Sequence, residues 1–242
     1  MSRSLSIIIP AYNEAERLPT SLARIQEYLL RRNFTAVEIL VVDDGSFDGT
    51  ADAVRRSAEA FPVIRLLQNP GNRGKGYSVR HGMLESVHEW ALFTDADLSA
   101  PIEELDKLFA AVNAGDVDVA IGSRGIDRTL IGVHQSAFRE TAGRVFNLVM
   151  HLGTGLPFYD TQCGFKLFNR ASARAVFARM QLDRFGFDVE ALFVAHRLGY
   201  RIVEVPVRWN HVEGSKVGML QGLDGFVDIL RVRKNQWMGR YR

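Results

Sequence analysis

Short apolar runs alternate with stretches of helical spacing along the first half of this chain, and the runs stop in turn-forming, often acidic or glycine-rich segments. Leu5 to Ile9, ended by Pro10, reads as a buried strand. From Glu14 to Leu30 the apolar positions Leu18, Leu22, Ile25, Leu29 and Leu30 recur at helical spacing, the face of a helix packed on a sheet. Val37 to Val42 is a second strand, closing in Asp43-Asp44-Gly45-Ser46, and a second helix runs from about Asp48 to Ala60. Val63 to Leu67 is a third strand, a helix follows from about Tyr77, and Ala91 to Thr94 is a fourth strand. A helix from Pro101 and a strand at Val117 to Ile121 repeat the unit, and Tyr200 to Val207 is a late strand. Such alternation specifies an α/β fold with a doubly wound, mostly parallel sheet, in which ligands bind beyond the carboxyl ends of the strands. Asp43, Asp44, Asp95 and Asp97 all fall at that edge. At 242 residues and 47% hydrophobic, the chain suits one domain, assigned to 1–218, with 219–242 as a basic amphipathic helix appended to it.

The fourth run, W-A-L-F-T-D-A-D-L from Trp90 to Leu98, is the expected chemical centre. The side-chain period of two puts Asp95 and Asp97 on the same side as the strand runs out, so two hard oxygen ligands leave the sheet together. Magnesium or manganese is commonly held by one or two carboxylates plus the phosphates of a substrate. Taken alone, a D-x-D describes a solvated turn equally well. Behind the third strand lies N69-P-G-N-R-G-K-G76, whose glycines would let backbone N–H groups approach an anion, with Arg73 and Lys75 adding charge. Its plain alternative is a glycine-rich helix entry, and the Walker pattern is absent. After the strand at Val117 to Ile121 comes Arg124, a cation expected to meet an anionic ligand or one of the edge carboxylates.

Composition excludes several classes. Thirty Lys and Arg against 28 Asp and Glu leave a formal charge of +2, unlike a general nucleic-acid binder. One cysteine, Cys163, permits neither an intramolecular disulfide nor a two-cysteine metal spacing. The apolar start is too short for a signal-peptide core, and no later run approaches about eighteen apolar residues. The expected location is the cytoplasm, with peripheral contact at the cytoplasmic face of a membrane.

P10-A-Y-N-E14, V41-V-D-D-G-S46, N72-R-G-K-G76, D95-A-D97, G122-S-R124, D160-T-Q-C-G-F-K-L-F168, F187-D-V-E190 and E213-G-S-K216 occur in this order. Together they resemble the family 2 glycosyltransferases, and within them the dolichyl-phosphate β-glucosyltransferases, from residue 5 to about 232. The resemblance implies a GT-A fold and an inverting transfer of a sugar, usually glucose from UDP-glucose, to a polyprenyl phosphate such as dolichyl or undecaprenyl phosphate, with Mg2+ or Mn2+. It implies that Pro10, Ala11, Tyr12 and Glu14 line the nucleobase and ribose pocket with Asp43 near the uridine, supported by Asp44 and Lys75. Asp95 and Ala96 would lie near the ribose and metal, and Asp97 would be the principal metal ligand. Arg124 would face donor or acceptor phosphates. By the same resemblance Lys166 belongs to the acceptor side, although residue type alone makes it a surface charge and Cys163 a small buried residue. A lid over the diphosphate, with His211, Ser215 and Lys216, follows by analogy.

The acceptor decides whether a base is needed. A sugar hydroxyl must lose its proton to a positioned group, whereas a phosphate monoester, with a second pKa of about 6, is already largely ionised at neutral pH. Arg128, His134, Arg139 and Arg144 interleave with Ile131, Phe138, Val145, Phe146 and Leu148, a pattern suited to a phosphate carrying a prenyl chain or to a solvated amphipathic helix, the latter preferred for Arg128 and Arg144, and Arg139 is the expected acceptor contact after Arg124. Asp160, Asp188 or Glu190 would be the base in an enzyme acting on a saccharide or small-molecule hydroxyl. In a lipid-phosphate enzyme, Asp160 and Asp188 would instead position the acceptor site or pair with Arg124, and this role is preferred. A non-catalytic nucleotide-sugar-binding module is disfavoured by the intact D-A-D and acceptor-side motifs, and a nucleotidyltransferase by P-A-Y-N-E after the first strand. The stretch R231-V-R-K-N-Q-W-M-G-R-Y-R242 has five basic residues and no acid, so with Trp237 and Tyr241 it would suit an anionic membrane face, or else cover the domain.

Overall fold

The first strand, β1 (Arg3–Ala11), buries Leu5, Ile7 and Ile9 in one core and Ile8 in another, as a strand in the middle of a two-sided sheet must. This computed structural model describes residues 3–133, 150, 153–210 and 219–242. After β1 come α1 (Leu18–Leu30), β2 (Phe34–Asp43), α2 (Thr50–Ala60), β3 (Ile64–Gln68), α3 (Lys75–Glu85), β4 (Trp90–Thr94), α4 (Leu105–Asn113), β5 (Val119–Ser123) and β6 (Ile131–Val133). The second half supplies β7 (Phe165–Asn169), α5 (Arg170–Phe177), α6 (Phe187–Arg197), β8 (Ile202–Pro206), β9 (Trp209–Asn210) and α7 (Met219–Trp237). The main sheet has seven strands in the order β3-β2-β1-β4-β7-β5-β8, and β6 pairs with β9 apart from it. Helices cover both faces. Leu18, Leu22 and Ile25 of α1 and Leu105 and Leu108 of α4 fill one core, while Val79, Val176, Leu192 and Val232 of α3, α5, α6 and α7 fill the other.

Two features depart from the sequence reading. Strand β1 does not stop at Pro10 but continues to Ala11, paired with β2 throughout. Its pairing with β4 ends at Ile8, so Pro10 lies where β1 has one open edge and a missing N–H is accommodated. Strand β7 was not expected, because Lys166 interrupts its apolar pattern. It runs antiparallel between β4 and β5, whereas the other pairings in the sheet are parallel. This single reversal matters for function, since it brings the start of β7 to the edge where the parallel strands end.

The C-terminal segment shares the domain's core. Ile229, Val232 and Tyr241 pack in the same cluster as Val79 and Phe193. Tyr241, expected at a membrane face, is instead buried: its hydroxyl donates to Glu190 Oε1 at 2.6 Å, and its ring stands edge-on to Phe193. Among the described residues, no helix is long and apolar enough to cross a membrane.

Candidate active site

Parallel strands β1, β2, β4 and β5 end together, so the loops after Ala11, Asp43, Thr94 and Ser123 form one rim. The first two loops are laced together. Asp44 N–H donates to Ala11 O at 2.9 Å, Asn13 N–H to Ser46 Oγ at 2.9 Å, Phe47 N–H to Asn13 Oδ1 at 3.0 Å, and Glu14 N–H to Thr50 Oγ1 at 2.8 Å. Asn13 takes a positive φ of 55°, a conformation that asparagine tolerates better than most residues. The result is a fixed wall in which Pro10 and Ala11 are buried, Tyr12 meets Phe47 edge-on, and Glu14 is held by Arg17 at 2.8 Å. Phe47 itself is 82% exposed, an aromatic face left open beside Tyr12.

Asp43 and Asp44 are both buried and act on the backbone around them. Asp43 Oδ1 accepts from Ser46 N–H at 3.0 Å. Asp44 accepts from Asn69 Nδ2 at 2.7 Å, Arg73 N–H at 2.9 Å and Gly74 N–H at 2.8 Å, so its carboxylate holds the glycine-rich loop. Asn69 also donates to Ser78 and meets His81. A Cβ on Gly45 would sit 2.8 Å from the Gly71 Cα, so only glycine lets the two loops close on one another.

That loop delivers Lys75 to the D-A-D. Lys75 Nζ lies 2.6 Å from Asp95 Oδ1, and 5.5 and 5.9 Å from the ring centroids of Phe93 and Phe187. Burial works to lower the Lys75 pKa, but Asp95, with Asp188 and Asp97 beyond it, outweighs burial and holds the ammonium above its ordinary value. Asp95 and Asp97 are each half-buried, while Ala96 between them is buried and accepts from Ser21 Oγ at 2.6 Å through its carbonyl. Asp97 Oδ1 caps the following turn by accepting from Ser99 N–H at 2.9 Å. Asp95 is seated on Gly164, whose carbonyl accepts from Asp95 N–H at 3.3 Å and whose missing side chain leaves room for the carboxylate. A Cβ there would come within 2.1 Å of Asp95 Oδ2. Gly164→Ala is therefore expected to displace Asp95 and lower kcat/KM by at least about tenfold with a small loss of Tm. Steady-state kinetics beside a melting curve check this, and unchanged kinetics would show that the seat is immaterial.

These carboxylates fit a divalent cation. They supply hard oxygens one residue apart, with Asp95 Oδ1 held by the Lys75 ammonium. Among the described residues no group of three or more His, Cys, Asp or Glu side chains is placed to hold a metal ion.

The remaining acids of the sequence reading are all engaged. Asp160, buried at 2% exposure, receives a two-pronged contact from Arg124, Nε at 2.7 Å and Nη2 at 2.9 Å, together with Arg124 N–H at 3.0 Å. Arg124 thus meets neither Asp43, Asp44, Asp95 nor Asp97; its carboxylate partner is Asp160, and its guanidinium also lies 5.4 Å from the Trp209 ring centroid. Glu204 holds the same corner by accepting from the N–H groups of Tyr159 and Asp160. Burial tends to raise the Asp160 pKa, yet Arg124 overcomes it and holds the carboxyl at about 2, below its ordinary 3.8. This contributes about 2 kcal/mol of stability that is fully present above pH 4 and is lost as pH falls from about 4 to about 2. Acid titration of Arg124→Met/Asp160→Leu should lack this component, and an acid midpoint identical to that of the parent would contradict it.

Lys166 is corrected from a surface charge to a core residue. It is 1% exposed, its ammonium is paired with Asp188, and it donates to Cys163 O at 2.6 Å. Its charge therefore points at Asp188 rather than into an open acceptor groove. Burial raises the Asp188 pKa, with Lys166 and Lys75 offsetting only part of the effect. Glu190 is fully buried and bound to Tyr241 Oη and to the N–H groups of Gln181 and Leu182, which anchor it in the core. Burial pushes the Cys163 thiol up to about 12, which leaves it unreactive.

Arg139, His211, Ser215 and Lys216 lie outside the described residues, as do His134 and Arg144. Sequence reasoning missed Gly164, Asn69 and Glu204. An acid inside the apolar strand Ile202–Pro206 was a usable signal for Glu204; the closeness of Gly164 to Asp95 depends on the β7 reversal and had none.

Comparison with known proteins agrees with this architecture. The profile described as "Glycosyl transferase family 2" matches residues 6–177. A dolichyl-phosphate beta-glucosyltransferase of Drosophila melanogaster is 38% identical across 98% of this chain and 77% of its own length, and that of Homo sapiens is 32% identical across 100% and 78%. Glucosyl-3-phosphoglycerate synthase from Mycobacterium tuberculosis, solved with Mn2+, UDP-glucose and phosphoglyceric acid, superposes with a TM-score of 0.68 over 95% of this chain and 79% of that one. At 16% identity this last likeness shows the shared GT-A fold. With a rim of laced loops, a carboxylate pair and a full-length likeness to enzymes of one kind, the chain belongs to glycosyl transferase family 2 and is a glycosyltransferase.

Proposed function

We propose that this enzyme transfers glucose from UDP-glucose, with inversion at the anomeric carbon, to dolichyl phosphate or another polyprenyl phosphate. The observation that carries the reading is the engagement of every acid a hydroxyl acceptor would need: Asp160 by Arg124, Asp188 by Lys166, Glu190 by Tyr241. Asp160, held at about 2, is a poor proton acceptor at neutral pH, while Asp188 and Glu190, whose pKa values burial raises, are occupied by Lys166 and Tyr241. A phosphate monoester needs none, because it arrives ionised. The names of the relatives support the same acceptor and sugar.

In this reading the nucleoside lies along the wall of Pro10, Ala11, Tyr12 and Glu14, with Asp43 near the base and Asp44 keeping the glycine-rich loop closed on it. Asp97 and Asp95 would hold Mg2+ or Mn2+, whose charge stabilises the departing diphosphate. Lys75 keeps Asp95 oriented and adds positive charge to the same place. Arg124, locked in orientation by Asp160, presents a guanidinium edge toward an incoming phosphate at the rim. The acceptor's lipid chain requires the enzyme to work at a membrane surface.

The test is a donor panel. UDP-glucose, UDP-galactose, UDP-N-acetylglucosamine and GDP-mannose, each labelled in the sugar, are offered with a short polyprenyl phosphate and Mn2+. Organic-phase label from UDP-glucose alone, with a β-configured glucosyl phosphate by NMR, is the expected result. Label from another donor, or an α product, would overturn the sugar or the stereochemistry.

A further inference from the structure

Helix α7 has two faces of opposite character. Asp228, Ile229, Val232 and Asn235 are buried against the domain. The other face is exposed and still apolar: Val227 is 46% exposed, Leu230 71% and Trp237 91%, followed by Met238 at 44%. At helical spacing the exposed arc reads, in order around the axis, Arg233, Trp237, Leu230, Lys234, Val227, Arg231. Large apolar residues thus lie among cations, and among the described side chains no acid lies on this arc. A face evolved only to be solvated would carry both signs of charge and would not expose Trp and Leu together.

Both margins of the stripe open into basic hollows. On one side a cavity of about 430 Å3 is lined by Arg184, Arg231, Lys234 and Arg240 together with two acids, Asp183, which pairs with Arg80, and Asp228. Arg231 is paired with Asp228, but Arg184 and Lys234 have no ion-pair partner among the described residues. On the other side Arg197, Arg233 and Arg242 surround a second hollow next to Trp237. The middle of the helix adjoins the segment that leads into α6. Asp228 packs against Gly186, where a Cβ would come within 2.4 Å of its carboxylate, and Gly186 leads directly into Phe187 and Asp188.

We propose that this exposed face of α7 is the membrane-docking surface of the enzyme, with Leu230 and Trp237 entering the interface of an anionic bilayer and Arg184, Arg231, Lys234 and Arg240 engaging its headgroups. Aromatic and aliphatic side chains flanked by cations match that occupant. A second copy of the chain matches it poorly, since two-fold pairing would bring like charges together on both sides of the stripe. The inference deepens the lipid-phosphate reading by placing the active-site rim next to the bilayer, but vesicle binding requires no turnover, so the two fail separately.

The experiment is sedimentation of the full chain with vesicles of phosphatidylcholine, with and without phosphatidylglycerol. Binding should be at least about tenfold stronger to the anionic vesicles and should weaken with salt. Leu230→Ser/Trp237→Ser should lose at least about tenfold of that binding, and Lys234→Glu should lose several-fold and blunt the salt dependence. With a short polyprenyl phosphate in detergent, Leu230→Ser/Trp237→Ser should turn over like the parent; with acceptor embedded in vesicles, its rate should fall about tenfold. Failure of the parent to bind anionic vesicles would overturn the proposal, as would equal binding by the double variant. So would a dimer in the ultracentrifuge that the double variant dissolves, which would make the stripe a self-association face. Vesicle binding that behaves as described while no donor yields a lipid product would keep the docking surface and discard the acceptor.

Discussion

Asp97→Asn is expected to lower kcat by about two to three orders of magnitude while leaving the fold and Tm unchanged. Local geometry makes this a clean change. Asp97 Oδ1 already accepts from Ser99 N–H at 2.9 Å, and an asparagine oxygen can accept the same bond, so the turn after β4 survives and only the charge is lost. The lost charge is the one that, in the proposed reaction, anchors the cation against the leaving diphosphate. A second readout separates binding from chemistry: calorimetric titration of Mn2+ in the presence of UDP should show weakened metal binding in the variant. Near parental turnover by a folded Asp97→Asn protein would remove Asp97 from the metal site.

Lys166→Met is expected to destabilise the protein by about 3 to 5 kcal/mol, seen as a fall in Tm on the order of 10 °C. Lys166 and Asp188 are both buried, and removing the ammonium strands a carboxylate that burial already pushes toward its protonated form. A double variant, Lys166→Met/Asp188→Leu, should recover much of the lost stability, because the cost lies in the stranded charge rather than in the missing bond. Activity should not recover. Asp188 and Phe187 back the Lys75–Asp95 pair, so the double variant keeps a folded core while altering the field at the D-A-D. A single variant that melts with the parent would contradict the pairing.

The parallel part of the fold was legible because β1, β2 and β4 are apolar on both faces and end in turn chemistry, which is what burial between two helix layers demands. Strand β7 was not, because Lys166 breaks the pattern and its partner Asp188 lies far along the chain in a different element. The same distance hid the meaning of Asp160: its pairing with Arg124 crosses 36 positions and follows from the reversal of β7, which no local periodicity encodes. Tyr241 shows a different limit. In a basic, aromatic tail its residue type suits a membrane, yet its hydroxyl found a buried carboxylate at Glu190, while Trp237 four positions earlier points outward. Exposure along α7 is set by which arc meets the domain, and composition alone does not reveal that arc.

The most direct test of the account offers labelled UDP-glucose and Mn2+ to the purified protein with two acceptors of equal chain length, a polyprenyl phosphate and the corresponding free polyprenol. The account predicts that the phosphate alone takes label, with no loss of rate between pH 7 and 8, since its acceptor oxygen is ionised before it binds. Label on the free alcohol, or transfer to an added saccharide hydroxyl while the lipid phosphate stays unlabelled, would contradict it.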